Sequence, residues 1–153
     1  MTWIVLLIVH GLLALLLIGA LTHQAVSVVW RPGKGNFVGR FASVTGVSYV
    51  NAIIVLFVVT FIFGAVIYAD YRILVRPVFE DLRWYSSVGV FELKEHITAL
   101  ALALLPTYWL LWKKVPLSDQ ITLRRITTIF IAVSAWYGLL VGHVLNNLRG
   151  LGS

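Results

Sequence analysis

Long apolar runs separated by short polar connections organise the whole chain. Four runs occupy about residues 3–29, 49–75, 91–112 and 126–148. Each reaches the roughly 20 residues that cross about 30 Å of hydrocarbon at 1.5 Å per residue. In lipid only helices and closed barrels satisfy their own backbone, and uninterrupted apolar runs of this length predict helices. The expected fold is therefore all-α: an integral membrane four-helix bundle forming a single domain over residues 1–153. The longest polar connection lies between the second and third runs. There Arg76-Pro77 predicts a helix break, because proline lacks the N–H donor and disfavours helix at the preceding residue. Phe79, Leu82, Trp84 and Tyr85 then alternate with Glu80, Asp81 and Arg83, which predicts a short interfacial amphipathic helix in this second loop. Such a helix serves either as a lid on the bundle or as a dock for a redox partner or another subunit.

Composition agrees with this class and removes others. With 60% hydrophobic and 12% charged residues, the chain is too apolar for a soluble domain of its size. There is no cysteine, so disulfides, iron-sulfur ligation, thiolate-bound haem and covalent c-type haem are excluded. The net charge of +6 comes from basic residues in short loops with no basic stripe, which argues against nucleic acid as a partner. Neither a nucleotide-binding glycine pattern nor a Ser/His/Asp or paired-carboxylate constellation is present, and hydrolytic or ATP-driven chemistry is disfavoured.

Charge also orients the bundle. Arg31, Lys34, Arg40, Lys113, Lys114, Arg124 and Arg125 flank one end, against Arg72, Arg76, Arg83, Lys94 and Arg149 at the other. The positive-inside rule puts the first end in the cytoplasm and both termini outside, on the periplasmic side of a bacterial inner membrane. The N-terminus lacks the positive n-region of a secretory signal and reads as a retained helix. Trp3 and Trp84 then fall at the outer interface and Trp30, Trp109 and Trp112 at the inner one, where indole rings prefer to sit. Trp136 is mid-span, as bulky packing or as a wall of a cofactor pocket.

Four histidines, His10, His23, His96 and His143, lie within or at the edge of the apolar runs. An ionisable side chain in hydrocarbon marks a functional site by default, and imidazole is the usual protein ligand for haem iron and transition metals. His96 lies about five residues into the third run and His143 about five residues before the end of the fourth, so both sit roughly 7 Å below the same outer surface, with His10 at about 10 Å. A haem needs two axial nitrogens on facing helices, and His96 with His143 is the expected pair. Ser134, Gly138 and Gly142 repeat every four residues beside His143, leaving room for a bulky guest or allowing close helix packing. Glu92, one turn before His96, either complements the helix dipole or tunes His96 through a hydrogen bond. His23 lies at the opposite end and is assigned to a second haem only if another subunit supplies its partner. His10 and His23 are 13 residues apart, about 140° around a straight helix, and share no face.

In architecture and histidine placement the chain resembles four-helix membrane-bound b-type cytochromes, the haem-carrying anchors of respiratory and quinone-linked complexes. That resemblance implies one haem b, or two, a quinone as a further cofactor, and other membrane or periplasmic redox subunits as partners beside the lipid bilayer. The function it implies is electron transfer rather than stand-alone enzyme chemistry. Two rivals remain open: a redox-inactive accessory subunit, and a small metal- or porphyrin-handling enzyme using His10, His96 and His143 as a three-nitrogen site.

Overall fold

The protein is described by a computed structural model over residues 2–30, 37–42 and 46–151. Its elements are α1 (Thr2–Val29), α2 (Phe37–Ala42), α3 (Val50–Asp70), α4 (Arg76–Asp81), α5 (Tyr85–Lys113) and α6 (Ile121–Leu151), with a 3-10 turn leading into α3. No strand occurs among the described residues. Arg31 and Lys34, which contribute to the charge of the first loop, lie outside them.

Three segments are long and apolar enough to cross a membrane: Trp3–Val29, Gly46–Asp81 and Ile121–Leu148. Helix α5 matches them in length but not in hydropathy, since Glu92, Lys94, Glu95 and His96 occupy its first half and Pro106, Thr107 and Tyr108 its second. Large apolar side chains such as Ile8, Leu16, Val55, Ile62, Val133 and Leu140 are exposed, the outer surface expected of helices solvated by lipid.

The four long helices form a closed ring of neighbours: α1 packs on α3 and α6, α6 on α5, and α3 on α5. Sequential helices run antiparallel. Gln24, near the end of α1, donates to the Gly46 carbonyl at the start of the next segment at 3.0 Å, whereas His10, near the start of α1, packs on Gly64 towards the end of α3. Two apolar cores result. One, at the α2 end, gathers Leu21, Ile53, Phe57, Leu105, Tyr108, Trp112 and Ile131. The other, at the α4 end, gathers Tyr71, Val75, Phe79, Val88, Phe91, Val141 and Leu145.

The α2 end is tied by a buried polar network. Tyr108 donates to Gln24 Oε1, Trp112 donates to Thr128 Oγ1 at 3.0 Å, and Arg124 donates to the carbonyls of Leu111, Pro116 and Leu117. Arg124 thus closes the last turn of α5, whose carbonyls have no partner within the helix. Trp112, expected at the membrane interface, is instead 6% exposed in the core, because its indole N–H finds the Thr128 hydroxyl.

The second connection differs from expectation. Helix does not break at Arg76-Pro77. The backbone passes from α3 into a π-helical turn over Tyr71–Val75, where the Arg76 N–H bonds to the Tyr71 carbonyl, and continues as α4. Pro77 falls in the first turn of α4, where its missing N–H is one that a helix start leaves unpaired anyway. The expected interfacial helix is therefore the last turn of the second rod, with Phe79 buried and Leu82, Trp84 and Tyr85 exposed. The chain reverses by a Schellman turn: Trp84 N–H donates to Phe79 O at 2.8 Å and Arg83 N–H to Glu80 O at 3.0 Å. Arg83 takes the left-handed conformation this requires, at φ 59°. Consequently α5 starts at Tyr85 rather than near residue 91, and α6 starts at Ile121 rather than near residue 126.

Candidate functional site

Between the two cores lies a cavity of about 320 Å³ walled by α1, α3, α5 and α6, within the size range of small-molecule sites. Helix α1 contributes His10 and Gly11, and α3 contributes Thr60 and Gly64. Tyr71 comes from the π turn, Lys94, Glu95 and Thr98 from α5, and Ser134, Gly138, Gly142 and His143 from α6.

Unpaired polar atoms concentrate here. Among the described residues four buried side-chain atoms lack a hydrogen-bond partner, and three of them, His10 Nδ1, Thr60 Oγ1 and Tyr71 Oη, belong to the cavity wall. Leaving such a group buried and unpaired costs about 1–3 kcal/mol, and the His10 ring has in addition a hydrogen bond with the Thr60 backbone. The fourth, His23 Nδ1, is at the other end of α1.

The glycines separate two accounts of the small-residue stripe. A Cβ added at Gly11 or Gly142 would meet nothing within 4 Å, and one at Gly138 only Thr98 Oγ1 at 3.9 Å. Close helix packing would put atoms there. Gly11 and Gly142 open onto the cavity instead, while Gly138 faces Thr98 of α5. Gly64 is the exception, since a Cβ there would lie 3.3 Å from His10 Cε1, and its smallness seats the imidazole.

Helix α5 supplies charge. Lys94 Nζ pairs with Glu95 at 2.6 Å and sits 4.1 Å over the Phe91 ring. On a helix successive residues turn by about 100°, so the face holding Phe91, Lys94, Glu95 and Thr98 points at the cavity and His96 points away from it. His96 is turned outward, with Nδ1 donating to the Glu92 carbonyl at 2.7 Å. The expected pairing of His96 with His143 is therefore not what the cavity presents: His10 and His143 line it, and His96 does not. Ala99 and Ala103, on the His96 side, are exposed.

Among the described residues His143 is held from its own helix, Asn147 Nδ2 donating to its Nε2 at 3.2 Å. Glu92 touches His96 through its backbone alone, while its carboxylate pairs with Arg76 Nη1 at 2.9 Å. His23 donates from Nε2 to the Phe41 carbonyl at 2.9 Å and lies edge-on to Phe41 and Tyr49, a tie between α1 and α2. Trp136 faces outward, bonded to Thr22 Oγ1 at 2.9 Å, and is not a wall of this cavity. Among the described residues no group of three or more His, Cys, Asp or Glu side chains is placed to hold a metal ion.

Thr60, Gly64 and Tyr71 join the site without having been expected from the sequence. A signal for two of them exists there: Thr60 and Gly64 are the only departures from apolar residues between positions 52 and 67. Comparison with protein-family models, with curated proteins and with solved structures finds no match to this chain.

Proposed function

We propose that this chain is a membrane-bound haem b protein that transfers electrons within a respiratory or quinone-linked complex. In this reading all four long helices cross a bacterial inner membrane as one bundle. The observation that carries it is the presence of both His10 and His143, from neighbouring helices, in the wall of one cavity, with His10 Nδ1 buried and unpartnered. Open space over Gly11 and Gly142 supports a flat, bulky guest. The residues present fit a haem held by His10 and His143, in place of the His96 and His143 pair expected from depth alone.

When bound, haem b supplies reversible one-electron chemistry at its iron. The chain's own contribution is positional. Gly64 seats His10, and the hold of Asn147 on His143 comes from one turn along the same helix, so freeing that ring requires no movement of another helix. Phe57, Phe61 and Phe91 line the same cavity and keep its dielectric low, which tunes the potential of a buried redox centre. The charged first half of α5 is compatible with a span because Lys94 and Glu95 face the bundle interior and neutralise each other. A three-nitrogen metal site is disfavoured by the outward direction of His96.

Detergent-purified protein from haem-replete cells should show a Soret band and a reduced α band, and solvent extraction should release non-covalent haem b. Colourless protein from such cells would overturn the proposal in favour of a scaffold subunit.

A further inference from the structure

The phenol of Tyr71 is more than nine-tenths buried, lines the cavity and has no partner. Histidine ligation does not account for it. Hydroxyls elsewhere on this wall show what ordinary satisfaction looks like: Thr98 donates to the Lys94 carbonyl at 2.8 Å and Ser134 to the Phe130 carbonyl at 2.7 Å, the usual back-bonding within a helix. Tyr71 opens the π turn, a local form that recurs at functional sites. Its ring is fixed by stacking on Phe91, with centroids 3.8 Å apart and 18° between planes.

The same Phe91 ring carries the Lys94 ammonium at 4.1 Å. Phenol and ammonium thereby flank one ring at the α4 end of the cavity. Lys94 is the one cation in the described lining. An ammonium has three donors, and Glu95 is its one ion-pair partner among the described residues. The level of His10, set by Gly64, lies seven residues before Tyr71 along the second rod, roughly 10 Å along the axis. A flat guest centred at His10 reaches Tyr71 and Lys94 with one edge only.

We infer that Tyr71 and Lys94 receive the carboxylate edge of the bound tetrapyrrole, fixing its in-plane orientation towards the α4 end and selecting a ring with free carboxylates over neutral flat rings. The inference rests on the haem reading, and it assigns these two side chains a positioning role. A charged acceptor strengthens the hydrogen bonds of both donors, and Tyr71 then gains the partner it lacks.

The test is a binding titration of the haem-depleted protein with haem b and with its dimethyl ester, in which both carboxylates are masked. The parent protein should prefer haem b by about tenfold or more, the effect of roughly one charge-assisted hydrogen bond. Tyr71→Phe should weaken haem b about tenfold while leaving the ester unchanged, and should not lower the melting temperature of the haem-depleted protein, whose Tyr71 hydroxyl is unpaired. Lys94→Met should narrow the preference further. Equal affinity of the parent protein for haem b and ester would overturn the assignment, as would a Tyr71→Phe loss shared equally by both. If neither compound binds the parent protein, the haem reading itself has failed. That result is distinct from tight binding without carboxylate selectivity.

Discussion

At the scale of single residues, depth alone does not choose between imidazoles; rotation about the helix does. His96 and His143 share a level, yet His96 comes one residue after Glu95 and is turned about 100° out of the cavity. The consequence is a ranking by variant. In the proposed haem reading, His10→Ala and His143→Ala should each cause loss of haem or conversion to a high-spin spectrum. His96→Ala should leave the spectrum intact, because its ring is bonded to the Glu92 carbonyl of its own helix. His23→Ala should also retain haem while loosening α2, whose Phe41 carbonyl it holds. Haem content per polypeptide, measured on the four purified variants, checks the ranking. Loss in His96→Ala with retention in His10→Ala would restore the pair expected from depth.

At the scale of elements, the junction from α3 to α5 departs from a regular α-helix through a π turn. A π turn carries an extra residue per turn and rotates the helix beyond it. Here it precedes α4, which places Phe79 in the core and sends Arg76 to Glu80 and Glu92, at 2.7 Å and 2.9 Å. The reversal after α4 depends on Arg83 at positive φ, a conformation in which a Cβ costs about 1 kcal/mol relative to glycine. Arg83→Gly should therefore stabilise the protein by about 1 kcal/mol, read as a rise of a few degrees in the melting temperature in detergent. Destabilisation would mean that the Arg83 side chain makes a contact worth more than the strain.

At the scale of the whole molecule, two separate cores hold the ring of helices together, and a cavity lies among the four helices. This division brings polar groups from four helices to one place, beside Tyr71 of the α4-end core. Lys113, Lys114 and Arg125 gather at the α2 end, with α5 and α6 joined there by a turn containing Ser118, and the proposed orientation puts that end in the cytoplasm by the positive-inside rule. Because the chain has no cysteine, Ser118→Cys and Ser86→Cys each create a unique thiol at opposite ends. In intact cells an impermeant maleimide should label the Ser86 position and not the Ser118 position. The reverse pattern would turn the bundle over and place the α4 end in the cytoplasm.

Much of the fold is legible in the sequence because it depends on counting. Run length and apolarity bound the four long helices to within a few residues at most ends, and the absence of cysteine bounds the chemistry. The helix starts at Tyr85 and Ile121 precede the apolar runs because the first turns of α5 and α6 carry polar residues that hydropathy assigns to loops, although backbone hydrogen bonding continues through them. Pro77 does not act as a break because a proline's effect depends on whether it falls inside a helix or in its first turn, and the π turn decides that. The candidate site is legible in its ingredients, His10, His143, Gly138 and Gly142. Its membership is decided only by tertiary packing. Which face of α5 turns inward depends on where α3 and α6 lie against it, so Lys94 and Glu95 enter the cavity wall and His96 leaves it. Local sequence sets what each helix can offer along its length, and the neighbouring helices set which stripe of it is used.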